Sequence, residues 1–258
     1  MHIARYAIGS EIHYGLQASP GKWRRLNGLP FDGLQETGVI DDAQQLRLLC
    51  PLERPRIFGV GFNYAAHAKE TGHPLPSRPA MFMKPDGCAI GPEEAIVYPL
   101  EGQRVDFECE LAVVIGKAGR RIPVSQAPAH IFGVTCANDV SERPIQFAEM
   151  ESGCLLIGKG FDTFCPIGPV IATGLDYRRL NLSTRVNGQV RQSSNTSDLI
   201  FGVDELVSYV SQAITLRPGD VIITGTPEGI GPLHIGDTVE VEIEGIGILR
   251  NSVVAERA

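Results

Sequence analysis

The stretch that decides the fold is V-D-F-E-C-E-L-A-V-V-I-G, residues 105–116. Its acidic and apolar residues alternate at first, and an unbroken apolar run follows. Successive side chains of a β-strand point to opposite faces, so residues two apart share a face. On a strand, Glu108 and Glu110 project from one face, and Asp106, two residues before Glu108, is a candidate to join them. Phe107 and Cys109 then face a core on the other side. The pattern therefore predicts a strand with a row of carboxylates on one side.

Two interpretations of these adjacent carboxylates are open. Neighbouring carboxylates repel each other and resist ionisation unless a cation lies between them. Hard divalent cations such as Mg²⁺ and Mn²⁺ prefer oxygen ligands, so Glu108 and Glu110 are candidate metal ligands. Alternatively, the acidic residues lie on the solvated face of an edge strand, where charge discourages aggregation. The spacing alone favours neither interpretation.

Length, charge and hydropathy exclude several classes of protein. The 258 residues carry 23 basic and 30 acidic side chains, a net charge of −7, and contain no basic run. We therefore expect neither nucleic acid nor a membrane as a partner. The longest apolar runs are too short to span a bilayer, and the N-terminus lacks the apolar core of a secretory signal. We expect a cytoplasmic protein whose six scattered cysteines are reduced and mostly buried.

Turn residues and prolines divide the chain into two predicted units. Residues 1–52 contain short alternating strands and a turn-rich passage, and nothing in them has catalytic character. Pro51 and Pro55 bracket the predicted boundary, and residues 56–258 form the larger unit, which carries all the candidate residues described below. In that unit short strands alternate with short helical segments, and residues 198–216 have the spacing of an amphipathic helix.

A histidine and a glutamate lie three residues apart in a short predicted helix. Asn63 is a good N-cap for it, Gly72 is a natural stop, and the proline-rich loop that follows makes the helix a candidate lid. Residues three apart are neighbours on a helix face, and a carboxylate beside an imidazole orients it and raises its basicity. His67 and Glu70 are therefore a candidate general base and its partner. The alternative is an exposed ion pair of little consequence.

A further acid, Asp139, follows the apolar strand pattern of residues 131–137. A carboxylate at the end of a buried strand is costly unless it is paired or bound to a metal, so Asp139 is a candidate third ligand. It could instead cap the next helix, in which Pro144 must occupy the first turn. On that helix Arg143 and Gln146 are three residues apart and share a face.

Two glycine-rich passages carry the remaining candidates. Lys159 is flanked by glycines, which allow a ligand to approach closely, and a lysine there can stabilise an oxyanion. It could equally be an ordinary loop lysine. The loop at residues 225–231 lacks the Gly-Lys-Ser/Thr of a phosphate-binding loop, but it could present backbone N–H groups and the Thr226 hydroxyl to a carboxylate.

From about Arg56 to its end, the chain resembles the fumarylacetoacetate hydrolase family. Seven stretches match in order over roughly four fifths of the chain: G-x-N-Y-A-x-H-x-x-E (61–70), F-x-K-P (82–85), D-F-E-x-E-L-A-V-V-I-G (106–116), N-D-V-S-x-R (138–143), G-K-x-F-D-T-F-C-P-I-G-P (158–169), V-N-G (186–188) and P-G-D-V-I-x-T-G-T-P-x-G-x-G (218–231). The resemblance implies an α+β, β-rich fold with a mixed β-roll or barrel core and short helices, beside the small N-terminal β subdomain predicted above. It also implies a homodimer.

The resemblance assigns a role to each candidate residue. The metal ligands of the family fall on Glu108, Glu110 and Asp139. Its general base and the partner of that base, both in the lid helix, fall on His67 and Glu70. Its oxyanion-stabilising lysine falls on Lys159. Its polar substrate contacts fall on Arg143, Gln146 and Thr226. One departure is Pro144, where relatives often have aspartate, and the loss of this acid weakens any assignment of substrate by close analogy.

These roles imply a Mg²⁺- or Mn²⁺-dependent hydrolase that acts on a small-molecule 2-oxo acid. We expect cleavage of a C–C bond in an acylpyruvate or other 2,4-dioxo acid, of the fumarylpyruvate or fumarylacetoacetate type, through a metal-bound enolate. In this hypothesis His67 activates water and Lys159 stabilises the oxyanion. An alternative is a decarboxylase or isomerase of 2-oxo diacids, of the oxaloacetate or 2-hydroxyhepta-2,4-diene-1,7-dioate type, at the same site. A non-catalytic binding module is a second alternative, but such a module has no need of a base.

Overall fold

Strands form most of the regular structure in the computed structural model, which describes residues 1–257. The strands are β1 (His2–Ile8), β2 (Glu11–Ser19), β3 (Lys22–Leu26), β4 (Glu36–Asp42), β5 (Arg47–Leu48), β6 (Ile57–Gly61), β7 (Ala80–Lys84), β8 (Ala89–Ile90), β9 (Ile96–Tyr98), β10 (Val105–Phe107), β11 (Cys109–Ile115), β12 (Ile131–Asn138), β13 (Ser141–Glu142), β14 (Cys165–Ala172), β15 (Asn181–Val186), β16 (Gln189–Asn195), β17 (Val221–Ile223), β18 (Gly231–Pro232), β19 (Thr238–Ile243) and β20 (Gly247–Ala255). The α-helices are α1 (Ala65–Glu70), α2 (Arg143–Glu151), α3 (Ile157–Gly160) and α4 (Val203–Ala213). Short 3₁₀ helices occur at Pro30–Asp32, Ala43–Gln45, Asp86–Cys88, Val124–His130 and Thr196–Asp198.

Most strands belong to one large sheet in which the acidic strand is central. The strand order is β4-β3-β2-β1-β14-β12-β11-β17-β6-β7, with β5 on β1 and β8 on β14. Two smaller sheets have the orders β13-β10-β18 and β16-β15-β19-β20-β9. The predicted β-rich α+β class with short helices is confirmed, but within the described residues the sheets are open rather than closed into a barrel.

The N-terminal strands are continuous with the large sheet. β1 pairs with β2 and β5 in the N-terminal region and with β14 in the rest of the chain. Ile3, Tyr14, Leu16 and Leu26 nevertheless pack in a small hydrophobic cluster of their own. The division of the chain at residues 52–56 stays a prediction.

The apolar run that follows Glu110 is buried on both faces of the large sheet. Alternate side chains of β11 enter different hydrophobic clusters, one containing Leu111, Val113 and Ile115 and the other Ala112 and Val114. A strand that is covered on both faces needs apolar side chains on both, which is why this run is continuous. Burial of each larger aliphatic side chain contributes about 1.5–3 kcal/mol to folding.

The acidic stretch changes sheets at Glu108. β10 lies in the three-stranded sheet and β11 in the large one, and Glu108 is the residue between them. The Glu108 backbone N–H donates to Asn138 Oδ1 at 2.9 Å, and the Cys109 N–H donates to Gln192 Oε1 at 2.9 Å. Side-chain amides therefore satisfy buried backbone donors at the point where the two sheets separate.

Local turn signals predict the hairpin in the five-stranded sheet. Asn187 and Gly188 have φ angles of 52° and 77°, as a type I′ turn requires, and they connect β15 with β16. The Asn-Gly pair, a signal for such a turn, thus marks the observed hairpin.

The start of α1 differs from its prediction. Asn63 does not cap the helix, because its side-chain amide donates to the carbonyl oxygens of Phe201 and Thr224. Tyr64 occupies the N-cap position without a side-chain hydrogen bond. Asn63 instead ties the chain before α1 to the segments after β17 and before α4.

The amphipathic helix is shorter than its apolar spacing predicted. Thr196–Asp198 forms a separate 3₁₀ helix, and α4 begins only at Val203. The Glu205 carboxylate accepts a hydrogen bond from the Gly202 N–H at 2.8 Å, which caps α4 at this point. Its buried face belongs to the main hydrophobic core, so this helix serves the packing of the fold.

Two predictions from composition concern the whole chain. All six cysteines are free, and five are buried while Cys154 is exposed. The prediction that the thiols are mostly buried is confirmed, and their reduced state stays a prediction. In the part of the chain that the structure describes, no helix combines the length and apolarity needed to cross a membrane.

Candidate active site

Three carboxyl groups meet where the acidic strand changes sheets. Glu108, Glu110 and Asp139 each place one carboxyl oxygen within 4.8 Å of the other two. Their relative exposures are only 4%, 1% and 1%. The interpretation of the pair as the solvated face of an edge strand is therefore wrong, since the carboxyl groups are enclosed and β11 is a central strand.

The end of β12 positions the third carboxyl group. β12 ends at Asn138 beside β11, and the next residue, Asp139, donates its backbone N–H to the Glu108 carbonyl oxygen at 2.9 Å. Helix α2 is capped instead by Glu142, whose carboxylate accepts from the Ile145 N–H at 2.8 Å. The alternative in which Asp139 caps this helix is therefore wrong.

Asp106 lies two residues before Glu108 in the alternating stretch, but its carboxylate does not join those of Glu108 and Glu110. Its carboxylate accepts from Arg143 Nε at 2.9 Å and from two nitrogens of Arg104 at 3.0 and 3.1 Å. Arg143 is buried, whereas the Arg104 side chain is half-exposed. Asp106 is therefore an arginine partner at the edge of the site rather than a member of the acidic triad, the name used below for Glu108, Glu110 and Asp139.

Three buried cations surround the acidic triad. Lys159 Nζ donates to Glu108 Oε2 at 2.8 Å and to Asp139 Oδ2 at 2.6 Å. Arg143 Nη2 donates to Glu108 Oε1 at 2.5 Å. Lys84 Nζ donates to Asp139 Oδ1 at 2.5 Å. Lys159 lies in α3 and is buried, so its interpretation as an ordinary loop lysine is wrong.

Lys84 is a residue of the site that the sequence analysis did not select. It ends β7, and its side chain is fully buried. Its signal was present in the F-x-K-P stretch, because a lysine that is buried beside apolar residues must find an anionic partner. That partner, Asp139, lies 55 residues later in the chain, so local pattern could not identify it.

Burial and charge separate the pKa values of the two glutamates. Burial raises the pKa of Glu110, and the neighbouring charges of Asp139 and Glu108 raise it further, to well above its usual value. Burial also acts to raise the pKa of Glu108, but the charges of Lys159 and Arg143 outweigh it and hold this pKa below the usual range. Glu110 is therefore the member of the triad that resists ionisation without a further cation.

Helix α1 brings His67 and Glu70 together beside the triad. His67 Nδ1 lies 3.3 Å from Glu70 Oε2, and the histidine is only 5% exposed. Glu70 Oε1 accepts from the Gly229 N–H at 3.0 Å, and the Phe62 ring stacks on the imidazole with centroids 6.2 Å apart. A neutral imidazole that donates from Nδ1 to Glu70 keeps Nε2 as a proton acceptor. A wholly exposed ion pair does not describe this arrangement.

One cavity of about 340 Å³ connects these groups. Eight of the nine site residues that were predicted from the sequence line it: His67, Glu108, Glu110, Asp139, Arg143, Gln146, Lys159 and Thr226. The ninth, Glu70, contacts His67. The rest of the wall is mainly apolar and includes Phe62, Met81, Phe82, Phe147, Met150 and Leu155.

The acidic triad has the donor set of a hard divalent cation. It offers only oxygen atoms, and an ionised carboxylate retains acceptor capacity beyond the hydrogen bonds described here. The crowding that raises the pKa of Glu110 is the observation that supports the fit, since a cation between the oxygens would offset it. The triad could therefore hold a metal ion of the Mg²⁺ or Mn²⁺ type.

Comparison with known proteins supports this description. The sequence profile of the fumarylacetoacetate (FAA) hydrolase C-terminal family matches residues 56–254, and the profile named Rv2993c-like, N-terminal, matches residues 1–51. The mitochondrial oxaloacetate tautomerase FAHD2A of Bos taurus is 45% identical over 221 residues, which cover 81% of this chain and 70% of the relative.

Two solved structures show the same fold at substantial sequence identity. The 5-carboxymethyl-2-hydroxymuconate delta-isomerase from Mycobacterium smegmatis matches with a TM-score of 0.91 and 40% identity, covering 99% of this chain and all of the other. The fumarylpyruvate hydrolase from Pseudomonas aeruginosa, solved in complex with Mn²⁺ and pyruvate, matches with a TM-score of 0.75 and 38% identity, covering 81% and 92% of the two chains. The family profile, at residues 56–254, spans every residue that lines the cavity. The chain therefore belongs to the fumarylacetoacetate hydrolase family.

Proposed function

We propose that this protein is a divalent-metal-dependent hydrolase that cleaves a C–C bond in an acylpyruvate or related 2,4-dioxo acid. The observation that carries the proposal is the shared cavity, in which the acidic triad, a buried histidine and a buried lysine face the same space. Hydrolysis adds water across the bond, so that an acylpyruvate gives pyruvate and a carboxylic acid.

The metal ion is assigned to the acidic triad. Mg²⁺ or Mn²⁺ held by Glu108, Glu110 and Asp139 would stabilise the negative charge that develops on the 2-oxo oxygen during bond cleavage. The fumarylpyruvate hydrolase relative was solved with Mn²⁺ and pyruvate, which supports this choice of ion and of ligand class.

His67 is assigned as the general base. Its contact with Glu70 fixes the Nδ1 proton, and Nε2 is then free to take a proton from water at the cavity. Burial beneath the Phe62 ring limits competing contacts with bulk solvent. The resulting hydroxide attacks the distal carbonyl carbon of the substrate, the bond from that carbon to C3 breaks, and the proton taken by His67 is returned to the pyruvate enolate that leaves.

Lys159 is assigned to the oxyanion that this attack creates. An ammonium group has three donors, and Glu108 and Asp139 accept only two of those of Lys159. The third donor is available to a substrate oxygen in the cavity. Arg143, Gln146 and Thr226 line the same space and are assigned to the polar end of the substrate.

The apolar wall favours an acylpyruvate over a smaller diacid. Ring and methionine side chains cover much of the cavity beyond the triad, and they can pack against an acyl tail. Two cationic groups line the cavity, the guanidinium of Arg143 and the ammonium of Lys159, and both are already paired with carboxylates. A carboxylate at the far end of a substrate, as in oxaloacetate or in fumarylpyruvate, would have fewer cationic partners there, so an acylpyruvate with an uncharged acyl tail fits this wall best.

A second candidate function uses the same cavity for isomerisation or decarboxylation. It is favoured by the 45% identity to an oxaloacetate tautomerase and by the isomerase among the structural neighbours. Tautomerisation of a 2-oxo diacid requires only proton transfer, for which the His67–Glu70 pair is sufficient. Product analysis, rather than disappearance of substrate, distinguishes this candidate from hydrolysis.

The deciding experiment is a substrate panel with Mg²⁺ and with Mn²⁺. Acetylpyruvate, fumarylpyruvate, oxaloacetate and a 2-hydroxyhepta-2,4-diene-1,7-dioate-type acid are followed by loss of enol absorbance, and pyruvate and CO₂ are measured separately. We expect metal-dependent release of pyruvate from an acylpyruvate without CO₂. Conversion of oxaloacetate between its enol and keto forms, with no pyruvate from any acylpyruvate, would replace hydrolysis with tautomerisation.

We also infer that the protein is a cytoplasmic homodimer with no nucleic-acid or membrane partner. The net charge of −7 and the dimer implied by the family resemblance support this inference. Light scattering of the purified chain should give twice the mass of the 27.9 kDa protomer. A mass equal to one protomer over the working concentration range would contradict it.

A further inference from the structure

A buried glutamine links the acidic strand to the loop that carries Thr226. Gln192, in β16, is 1% exposed, and all the hydrogen-bonding capacity of its amide is used. Its Oε1 accepts from the Cys109 N–H at 2.9 Å and from the Thr184 hydroxyl at 3.0 Å. Its Nε2 donates to Thr226 Oγ1 at 2.8 Å and to the Pro227 carbonyl oxygen at 2.9 Å.

The backbone partners fix which way round this amide lies. A backbone N–H can only donate and a backbone carbonyl can only accept, so the Cys109 N–H requires the amide oxygen and the Pro227 carbonyl requires the amide nitrogen. The opposite orientation of the Gln192 amide would place donor against donor and acceptor against acceptor. Nε2 is therefore the atom that faces Thr226.

This orientation determines the role of the Thr226 hydroxyl. Because Oγ1 accepts from Gln192, the hydroxyl hydrogen must point to another acceptor. No residue in the described part of the chain accepts it, and Thr226 is 3% exposed and lines the cavity of the acidic triad. The hydroxyl is thus presented to the cavity as a hydrogen-bond donor, which suits an anionic ligand oxygen.

The same glutamine also acts on the strand that carries the triad. The Cys109 N–H that it binds lies between Glu108 and Glu110 in the chain. One amide therefore holds the backbone between two triad residues in a fixed relation to the substrate-facing hydroxyl.

We propose that Gln192 is a positioning residue that sets the Thr226 hydroxyl as a donor to the carboxylate of a 2-oxo acid. The inference rests on the proposed function, because that function supplies the class of ligand. It adds a determinant outside the cavity wall, since Gln192 reaches the ligand only through Thr226.

The test measures pyruvate binding to the Mn²⁺-saturated protein by calorimetry. Gln192→Glu keeps an acceptor for Cys109 and Thr184 but removes the amide donor, so the Thr226 hydroxyl turns toward the new carboxylate. We expect pyruvate affinity to fall about tenfold, as expected for loss of one hydrogen bond to a charged group, and to fall similarly in Thr226→Val. Thr226→Ser keeps the hydroxyl and should lose much less affinity than Thr226→Val.

Combination of the two changes separates positioning from general damage. If Gln192 acts through Thr226, the variant with Gln192→Glu and Thr226→Val binds pyruvate no more weakly than Thr226→Val alone. Multiplied losses, or unchanged affinity in Gln192→Glu, would overturn the proposal. Gln189→Glu, at an exposed position of the same strand, is the matched control and should leave affinity unchanged.

Two further measurements keep the result unambiguous. A titration with Mn²⁺ alone reports any effect transmitted through Cys109, and thermal denaturation reports folding. If Gln192→Glu does not fold, Gln192→Met removes the same donor and is subject to the same comparison. Pyruvate binding without turnover of any acylpyruvate would contradict the proposed reaction alone, whereas absence of Mn²⁺-dependent pyruvate binding in the wild type would overturn both proposals.

Discussion

Two buried carboxylate sites in this molecule have opposite character. In the N-terminal region, Asp41 accepts two hydrogen bonds from Arg25, at 2.7 and 3.0 Å, and one from the Tyr6 hydroxyl at 2.6 Å. Hydrogen bonding to Arg25 holds the pKa of Asp41 below its usual value. In the acidic triad, burial and neighbouring acids raise the pKa of Glu110 instead.

The difference lies in the balance of charge around each group. Asp41 has a bidentate arginine partner of its own, so its negative charge is compensated within the fold. In the triad, Glu108 and Asp139 are paired with Lys84, Arg143 and Lys159, whereas Glu110 accepts from the Gly225 N–H at 2.6 Å and has no cationic partner among the described residues. A compensated carboxylate serves the fold, whereas a buried carboxyl group without a cationic partner is suited to receive a positively charged ligand.

The largest expected effect separates the histidines of the two regions. His67→Ala removes the proposed base, so we expect turnover to fall about 10²–10⁴-fold while Mn²⁺ affinity is unchanged. The matched control is His13→Ala, because His13 lies beside Tyr6 in the N-terminal region. Steady-state kinetics and calorimetry measure the two effects. Turnover near the wild-type rate in His67→Ala would show that the base has been misassigned.

The next effect tests the carboxylates directly. Glu110→Gln removes one triad oxygen while keeping the volume of the side chain, so we expect Mn²⁺ affinity to fall by at least about 100-fold. Asp41→Asn should leave it unchanged. Calorimetric titration of both variants provides the comparison. Equal Mn²⁺ affinity in Glu110→Gln and the wild type would exclude the triad as the metal site.

A smaller effect is expected on the free energy of unfolding, and here the test residue is Asp41, the control of the preceding experiment. Asp41→Asn leaves donors of Arg25 poorly matched and should lower the free energy of unfolding by about 1–3 kcal/mol at neutral pH. Because the pKa of Asp41 is lowered by folding, its contribution is complete above its unfolded value of about 4 and is lost as pH falls through the folded value.

Denaturant titrations at neutral and acidic pH measure the difference in the free energy of unfolding between the wild type and Asp41→Asn. The difference between wild type and Asp41→Asn should narrow as the pH falls. A constant difference at all pH values would mean that the variant disturbs packing rather than removing a compensated charge.

The smallest expected effect concerns the two arginines of Asp106. Arg104→Gln removes the half-exposed partner, so stability should change by only about 0–1 kcal/mol and turnover should hardly change. Arg143→Gln removes the buried partner that also binds Glu108, and it should reduce turnover far more. Similar losses of turnover in Arg104→Gln and Arg143→Gln would show that the exposure of the arginine does not distinguish these two ion pairs.

The local chemistry of the site could be predicted from the sequence because much of it depends on short-range geometry. Alternation along a strand places Glu108 and Glu110 together, and three-residue helical spacing brings His67 to Glu70. The position of Asp139 after a buried apolar strand indicated a third ligand, and the family resemblance then assigned the roles of the triad and of the substrate contacts. The structure brings all these side chains to one cavity or into contact with it, while their catalytic roles remain proposals.

The features that could not be predicted depend on contacts distant in sequence. Whether β11 lies at an edge or in the centre is decided by its pairing with β17, more than a hundred residues later. The roles of Lys84 and Gln192 likewise depend on partners that only the tertiary fold supplies. Composition and periodicity carry no information about strand order, so these residues looked ordinary.

The two contacts of Glu70 have a consequence for the timing of catalysis. The carboxylate that orients His67 also accepts the Gly229 N–H, so it fastens α1 to the loop after β17. If α1 moves away, the contact with Gly229 is lost, whereas the His67–Glu70 contact travels with the helix because both residues belong to it. In the proposed mechanism an open conformation is therefore inactive, since water that enters before the substrate finds the oriented imidazole displaced from the acidic triad.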